Sequence, residues 1–424
     1  MKKVFLMVFV VGMLVLAISV VQAQNVTTIT YGYWMSEEAS IINAEVAVFN
    51  KDNPDIKVVA ELVASSSTGN YWTKLQTMLS AGSCWDVFEI SPIYFKDFVN
   101  LGVLQDLTPY IKKDNFDLSV YPPANLGEFE INGHYYSLPT FMDTVGVYYN
   151  IEDFEKAGLK LPSYDWTWSE FVADAKALTI KDSSGKVLRY GVDSYYSDQT
   201  VLYPLGLSAG ATLFDYEHNR VNFNSPQMIY VFKQLIDLEN AGYAAPMTPI
   251  NQVSNYFTSG TLAAMQLNGQ WMFGYYTTAL GFKWGFAPMP IIDPNSKYRS
   301  ITNSIGPAMW SGSKHKEAAW KFIKFVSEKQ GQTMLGESGT VIPTYKGLSD
   351  LWVNAFKDTE YYKYAQIAAE TINLAQHYPV FAGQSQWQNI WKIGYTQILA
   401  GQQPVDYLNQ LNTEINNIIQ QSSK

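Results

Sequence analysis

The chain has 424 residues, 47% of them hydrophobic and 16% charged. That length suits two or three compact domains, and the composition excludes intrinsic disorder. Acidic residues outnumber basic ones by 38 to 29, and the arginines are Arg189, Arg220 and Arg299, a balance that disfavours nucleic acid, anionic lipid and any strongly anionic ligand.

In chain order, residues 1–23 read as a secretory leader. Lys2 and Lys3 precede an apolar run from Val4 to Ile18, and Val21-Gln22-Ala23 forms a small-residue cleavage site before Gln24. No cysteine stands at that site, so the expectation is a protein free in the periplasm without a lipid anchor. Thr28 to Trp34 alternates as a first strand, and Glu37 to Asn50 carries helical spacing that stops before Pro54. Ile56 to Leu62 is a second strand. Tyr71 to Ala81 places Trp72, Leu75, Met78 and Leu79 on a helix that Gly82 can end. Val87 to Ile90 and Thr144 to Tyr149 are short buried strands. Thr167 with Glu170 predicts a capping box for a helix to about Leu178. Ser225 and Pro226 predict the cap and first residue of a helix ending near Gly242. An extended Ala287-Pro288-Met289-Pro290 passage leads towards Gly306, a helix follows from Lys316 to Ser327, and the last hundred residues are mainly helical. Strands alternating with helices predict an α/β fold.

Sites of chemistry are sparse. Cys84 is the single cysteine, which excludes an intrachain disulfide or a multi-thiolate metal centre and leaves a small buried hydrophobe as its role. Gly206-Leu207-Ser208-Ala209-Gly210 matches the pattern of a nucleophile elbow, but that device needs a strand before the serine and a helix after it. Thr212, Phe214 and Asp215 suggest strand and turn instead, so a turn is expected. His134, His218, His315 and His377 are scattered without a zinc spacing, and Asp182-Ser183-Ser184-Gly185 reads as a hairpin turn rather than a calcium loop. No phosphate-cradling glycine loop follows a strand, so neither a metal nor a cofactor is expected. A glycosidase would need two carboxylates about 5 to 9 Å apart; Glu37, Asp86, Asp143 and Asp198 are candidates, and sequence does not fix their separation.

What stands out is an excess of 29 Tyr and 12 Trp. Indole and phenol faces pack on the C–H faces of sugar rings, while amides and carboxylates meet hydroxyl groups. Four blocks carry a resemblance of the same kind. The first is Tyr71-Trp72-Thr73-Lys74-Leu75 through Gly82, with Trp85-Asp86-Val87-Phe88 behind it. The second runs from Gly133-His134-Tyr135-Tyr136-Ser137-Leu138-Pro139 through Tyr148-Tyr149-Asn150 to Trp166-Thr167-Trp168. The third is Phe257-Thr258-Ser259-Gly260, Ala263-Ala264-Met265 and Gly269-Gln270-Trp271. The fourth is Ser313-Lys314 with Ala318-Ala319-Trp320-Lys321-Phe322-Ile323. In this order and spacing the chain resembles the extracellular solute-binding proteins of ABC sugar importers, the maltose-binding-like group.

The resemblance implies a two-lobed periplasmic-binding-protein fold (type II-like), with hinge strands and a helical C-terminal region. One lobe would comprise residues 24–142 and 284–330, the other 143–283 and 331–424. A neutral carbohydrate would bind between them without being altered, and a membrane permease would receive it from a monomeric carrier. Trp271 and Trp387 are the implied stacking platforms, and Asp143 the carboxylate near the hinge. Asp86 and Ser91 are taken to flank a strand end facing the cleft. Trp34 and Glu37 follow the first strand, and ligands of open α/β sheets bind beyond strand carboxyl ends. Tyr203, Asn268 and Asn303 complete the implied set. The Ser83-Cys84-Trp85 stretch departs from the small residues or proline usual there.

Overall fold

A computed structural model describes residues 26–63, 70–193, 197–246 and 256–423; the leader expected at residues 1–23 lies outside them. The fold is α/β with two lobes, each built on its own sheet. The first sheet runs in the order Ile342–Pro343, Phe141–Met142, Ser304–Met309, Val87–Ile90, Thr27–Tyr33, Ile56–Leu62. Thr27 pairs in parallel with Ile56 and Tyr31 with Val87, whereas Met309 returns antiparallel to Val87. The second sheet runs Trp284–Pro288, Val145–Asn150, Ala263–Gly269, Val187–Val192, Ile180–Lys181. Every residue of Val87–Ile90, Val145–Asn150 and Ala263–Gly269 is buried, as expected of strands covered by helices on both faces.

Local chemistry sets the element ends. The hydroxyl of Thr167 accepts from the Glu170 N–H while the Glu170 carboxylate accepts from the Thr167 N–H, so the capping box is formed. Ser225 caps Pro226–Asn240 with proline in its first turn. The helix Lys316–Ser327 turns Ala319, Phe322, Ile323 and Val326 into the first lobe's core. The Asp182 carboxylate accepts from the Ser184 and Lys186 N–H groups, closing a hairpin turn in which Gly185 has φ +85°.

The chain crosses between the sheets at Met142–Val145, again between Pro288 and Ser304, and after Pro343. The later two places differ from the boundaries read in the sequence, at 283/284 and 330/331. Trp284–Pro288 was assigned to the first lobe, yet Trp284 pairs with Asn150 in the second sheet and stacks on Tyr361 at 4.3 Å. The reason is packing: its indole sits among Tyr148, Phe273 and Tyr276, and Pro288 ends an edge strand where a missing N–H is tolerated. Residues from 331 were assigned to the second lobe, yet Leu335 and Val341 pack with Ile41, Phe141 and Ile305 of the first. The second-lobe core takes in Ile342 and continues with Trp352.

Ser208 ends the helix Tyr203–Ser208 and is buried; its hydroxyl donates to the Pro290 carbonyl at 2.7 Å and accepts from the Ile292 N–H at 3.0 Å. That is a structural tie in a helix end, not the strand-to-helix turn of a nucleophile. Cys84 is half-buried and free, with its thiol pushed up to about 12, chiefly by burial. No helix among the described residues is long and apolar enough to cross a membrane.

Candidate functional site

A cleft of about 480 Å³ lies between the lobes, lined from the first by Trp34, Glu37, Trp72 and Ser91 and from the second by Gln199 and Trp271, with Asp143 and Asn303 at the crossings. The volume suits a small-molecule ligand. Trp34 and Glu37 follow the carboxyl end of Thr27–Tyr33. Ser91 follows Val87–Ile90 and caps the helix Pro92–Asn100, accepting from the Ile93 N–H at 3.4 Å. Strand ends therefore deliver these side chains to one edge of the sheet.

Aromatic contacts fix the walls. Trp72 stacks on Tyr94 with ring centroids 4.2 Å apart and planes 24° from parallel, and Trp34 tilts against Trp72 at 4.9 Å. On the second lobe, Gly269 ends Ala263–Gly269 and its Cα lies directly against the Trp271 ring, so that any Cβ there would collide with the indole. The glycine of the Gly269-Gln270-Trp271 motif thus seats the ring. All three indoles are half-buried.

Asp143 is buried and holds the two crossings together. Its Oδ1 accepts from the Asn303 N–H at 2.9 Å and its Oδ2 from the Asn303 side-chain amide at 2.6 Å. Gln199 approaches Oδ2 at 3.5 Å. Burial raises this carboxyl to about 7, against the lowering by its two Asn303 hydrogen bonds. Next to it, the Ser300 hydroxyl donates to the Val145 carbonyl at 3.1 Å and accepts the Val145 N–H at 3.0 Å. The site can therefore offer aromatic faces, the carboxyl groups of Glu37 and Asp143, and amide groups. Among the described residues lining it there is no Lys, Arg or His, and no group of three or more metal-binding side chains is found among the described residues.

Six residues singled out from sequence thus meet at this cleft: Trp34, Glu37, Ser91, Asp143, Trp271 and Asn303. Four others stand elsewhere. Asp86 flanks the amino end of Val87–Ile90, a strand length or roughly 13 Å from the carboxyl end at which Ser91 sits. There it accepts from the Thr30 N–H at 2.9 Å and the Ser313 hydroxyl at 2.6 Å, tying strand to strand. Asn268 turns back on its own strand, donating to Gln266 at 3.3 Å and accepting from the Gly269 N–H at 2.8 Å. Tyr203 is fully buried, stacked on Phe223 at 5.4 Å. Trp387 is also fully buried, in the same core, with Phe223 at 6.2 Å. Neither of these two rings can face a ligand as placed.

Trp72 and Gln199 line the cleft and were not singled out. From sequence Trp72 stands only at helical spacing with Leu75, Met78 and Leu79. The doublet Tyr71-Trp72 held the signal: successive helical residues lie about 100° apart, so with Tyr71 fully buried, Trp72 points off the core. Nothing local in the sequence distinguished Gln199.

The arrangement has known counterparts. An ABC substrate-binding protein from Listeria monocytogenes, solved in complex with cycloalternan, superposes with a TM-score of 0.80 at 25% identity, over 92% of this chain and 98% of that one. UgpB from Mycobacterium tuberculosis, in complex with glycerophosphocholine, shares the fold with a TM-score of 0.78 at 19% identity, over 94% and 99%. In sequence, the arabinooligosaccharide-binding protein of Halalkalibacterium halodurans is 22% identical over 85% of this chain and 83% of its own. The profile of the bacterial extracellular solute-binding proteins matches residues 34–333. The chain belongs to the bacterial extracellular solute-binding protein family, the binding components of ABC importers, as the four sequence blocks implied.

Proposed function

We propose that this protein binds a neutral sugar or oligosaccharide in the interlobe cleft and hands it, unaltered, to a membrane permease in the periplasm, to which the leader at residues 1–23 exports it. The observation that carries this reading is the meeting of Trp34, Trp72 and Trp271 from opposite lobes around the Asp143–Asn303 pair. Apolar ring faces with a few placed acceptors and amides match a polyhydroxylated ring. A phosphate-bearing ligand such as the one bound by the mycobacterial relative fits less well, because the lining pairs carboxylates with no cation and would repel it. Only closure lets both lobes touch one ligand, and that differential affinity drives the hinge. Asp143, Trp271, Trp34, Glu37, Ser91 and Asn303 are the proposed contacts.

A thermal-shift screen tests the reading. Neutral mono- and oligosaccharides are compared with sn-glycerol 3-phosphate and glycerophosphocholine, and titration calorimetry follows any stabilising compound. One or more sugars should raise the melting temperature by mass action, and the phosphates should not. Stabilisation by the phosphates alone would overturn it. New reducing ends appearing on incubation with oligosaccharides would favour the paired-carboxylate hydrolase instead, with Glu37 and Asp143 in the same cleft.

A further inference from the structure

The helix Gln384–Leu399 of the second lobe begins without a cap of its own. Its N-cap is Gly383, with φ +68° and no side chain to offer. The first turn of any helix leaves backbone N–H groups unpaired, and its end carries partial positive charge that favours a carboxylate. Here the carboxylate comes from the other lobe. Oδ2 of Asp97 accepts from the Ser385 N–H at 2.9 Å and from the Ser385 hydroxyl at 2.6 Å. Asp97 belongs to the helix Pro92–Asn100, which Phe95 and Phe98 anchor in the first lobe's core. The receiving helix is held in the second lobe by Trp391 and Ile398, and the Gln384 side chain fixes its entry by donating to the Pro379 carbonyl and accepting from the Phe381 N–H, both at 2.8 Å.

We propose that Asp97 is a latch between the lobes, capping a helix of the opposite lobe in trans and so biasing the ligand-free hinge towards closure. The bond exists only when the lobes are together. On opening, both partners return to water, so the latch is weak enough to be reversible. Its placement couples it to the cleft: Ser91 and Ile93, at the start of the same helix, line the cleft, and Asp97 follows Ser91 by roughly 9 Å along the axis. A shift of this helix against the second lobe is therefore felt at both places. Asp97 touches no cleft ligand and is a positioning residue. The inference does not depend on which compound binds.

The test is X-ray scattering from the ligand-free chain, with circular dichroism and thermal midpoint as controls for folding. Asp97→Ala removes both bonds and should move the ratio of open to closed molecules towards open by at least about tenfold, the factor expected for a single hydrogen bond to a charged acceptor. Its radius of gyration should rise while its helix content stays the same. Asp97→Asn keeps an acceptor oxygen without the charge, and should fall between the wild type and Asp97→Ala. Superimposable scattering curves for wild type and Asp97→Ala, both folded, would overturn the proposal. Should Asp97→Ala lose helix content, Ser385→Ala, which removes the hydroxyl bond alone, decides in the same way: a smaller opening supports the latch and an unchanged curve refutes it. Because no ligand is present, this result is separate from that of the sugar screen.

Discussion

Two sets of tryptophans in this molecule have the same chemistry and different surroundings. Trp34, Trp72 and Trp271 stand half-buried around the cleft, each backed on part of its surface only: Tyr71 against Trp34, Tyr71 and Tyr94 against Trp72, the Cα of Gly269 against Trp271. Trp284, Trp387 and Trp391 are enclosed on all sides in the second lobe, Trp391 stacked on Phe223 at 4.3 Å and edge-on to Phe232 at 6.1 Å. An indole buried among other rings contributes to folding through dispersion and lost hydration. An indole left partly bare keeps that contribution for a ligand. The residue type alone does not say which role a ring plays; the second layer does.

The comparison breaks most visibly if a core ring behaves like a cleft ring. Trp391→Ala should lower stability by about 3–5 kcal/mol, since large-to-small changes at filled positions leave a cavity as well as losing transfer energy. Urea unfolding should show a lower midpoint, with sugar affinity of the folded fraction nearly unchanged. Loss of affinity with unchanged unfolding would mean that this ring, not the cleft set, meets the ligand.

Trp271→Ala should do the reverse. Removing one stacking face costs about 1–3 kcal/mol of binding by the area rule, roughly a fivefold to hundredfold loss of affinity in titration calorimetry against the sugar found by thermal shift. The thermal midpoint should stay close to wild type, because a half-exposed side chain carries little of the core. Unchanged affinity would remove Trp271 from the site.

Sequence reasoning reached the fold and much of the cleft lining, and its gaps have a common cause. Period and punctuation are local, so the Thr167–Glu170 box, the Ser225–Pro226 start and the Lys316–Ser327 helix were legible residue by residue. Strand ends are also local, which placed Trp34 and Ser91. Pairing is not local: Asp86 and Ser91 bracket one strand, and the parallel pairing of Tyr31 with Val87 is what sets the Ser91 end on the same sheet edge as Trp34. Enclosure is not local either. Trp387 opens a helix as a platform could, yet lies in the core because Phe223 and the helix Pro226–Asn240 that follows it, distant in sequence, pack on that helix. The lobe boundary at Trp284 was missed for the same reason, since its partners Tyr148 and Tyr361 come from both sides of the chain.

Buried acids sharpen the same contrast. Glu38, Glu45 and Glu89 lie inside the first lobe, and no Lys or Arg pairs with them among the described residues; the Tyr31 hydroxyl donates to Glu89 at 3.2 Å. Burial raises Glu89 to about 7, and raises Glu38 and Glu45 as well, each with further repulsion from Glu89. The native state thus holds protons that the unfolded chain releases near its ordinary value of 4.5. By linkage the stabilising share of Glu89 is full below that value and is lost as pH rises through about 7. Glu89→Gln keeps the acceptor for Tyr31 and has no charge to bury. Its advantage in urea unfolding should be nil near pH 4.5 and grow to a plateau above pH 7. A variant less stable than wild type at pH 8 would show that the ionised form of Glu89 is stabilised by the fold instead.

Asp143 is the cleft counterpart of Glu89: also raised to about 7, but supplied with two donors from Asn303. A core acid in this state affects only folding, whereas a cleft acid also changes what the ligand meets. With the ligand placed as proposed, above pH 7 the carboxylate would accept from a ligand hydroxyl with the extra strength of a charged acceptor, and below it the neutral acid would give an ordinary bond. The difference is about 1 kcal/mol, or roughly fivefold in affinity. Wild-type affinity should therefore rise as pH is taken from 6 to 8. Asp143→Asn, which keeps a carbonyl oxygen but cannot ionise, should bind with a constant affinity close to the wild type's at low pH. Calorimetric titrations at several pH values, with the Glu89→Gln variant alongside, separate the two acids: Glu89→Gln should retain the wild-type pH dependence of binding. A flat wild-type profile would place Asp143 with the structural acids, as a hinge tie that the ligand does not touch.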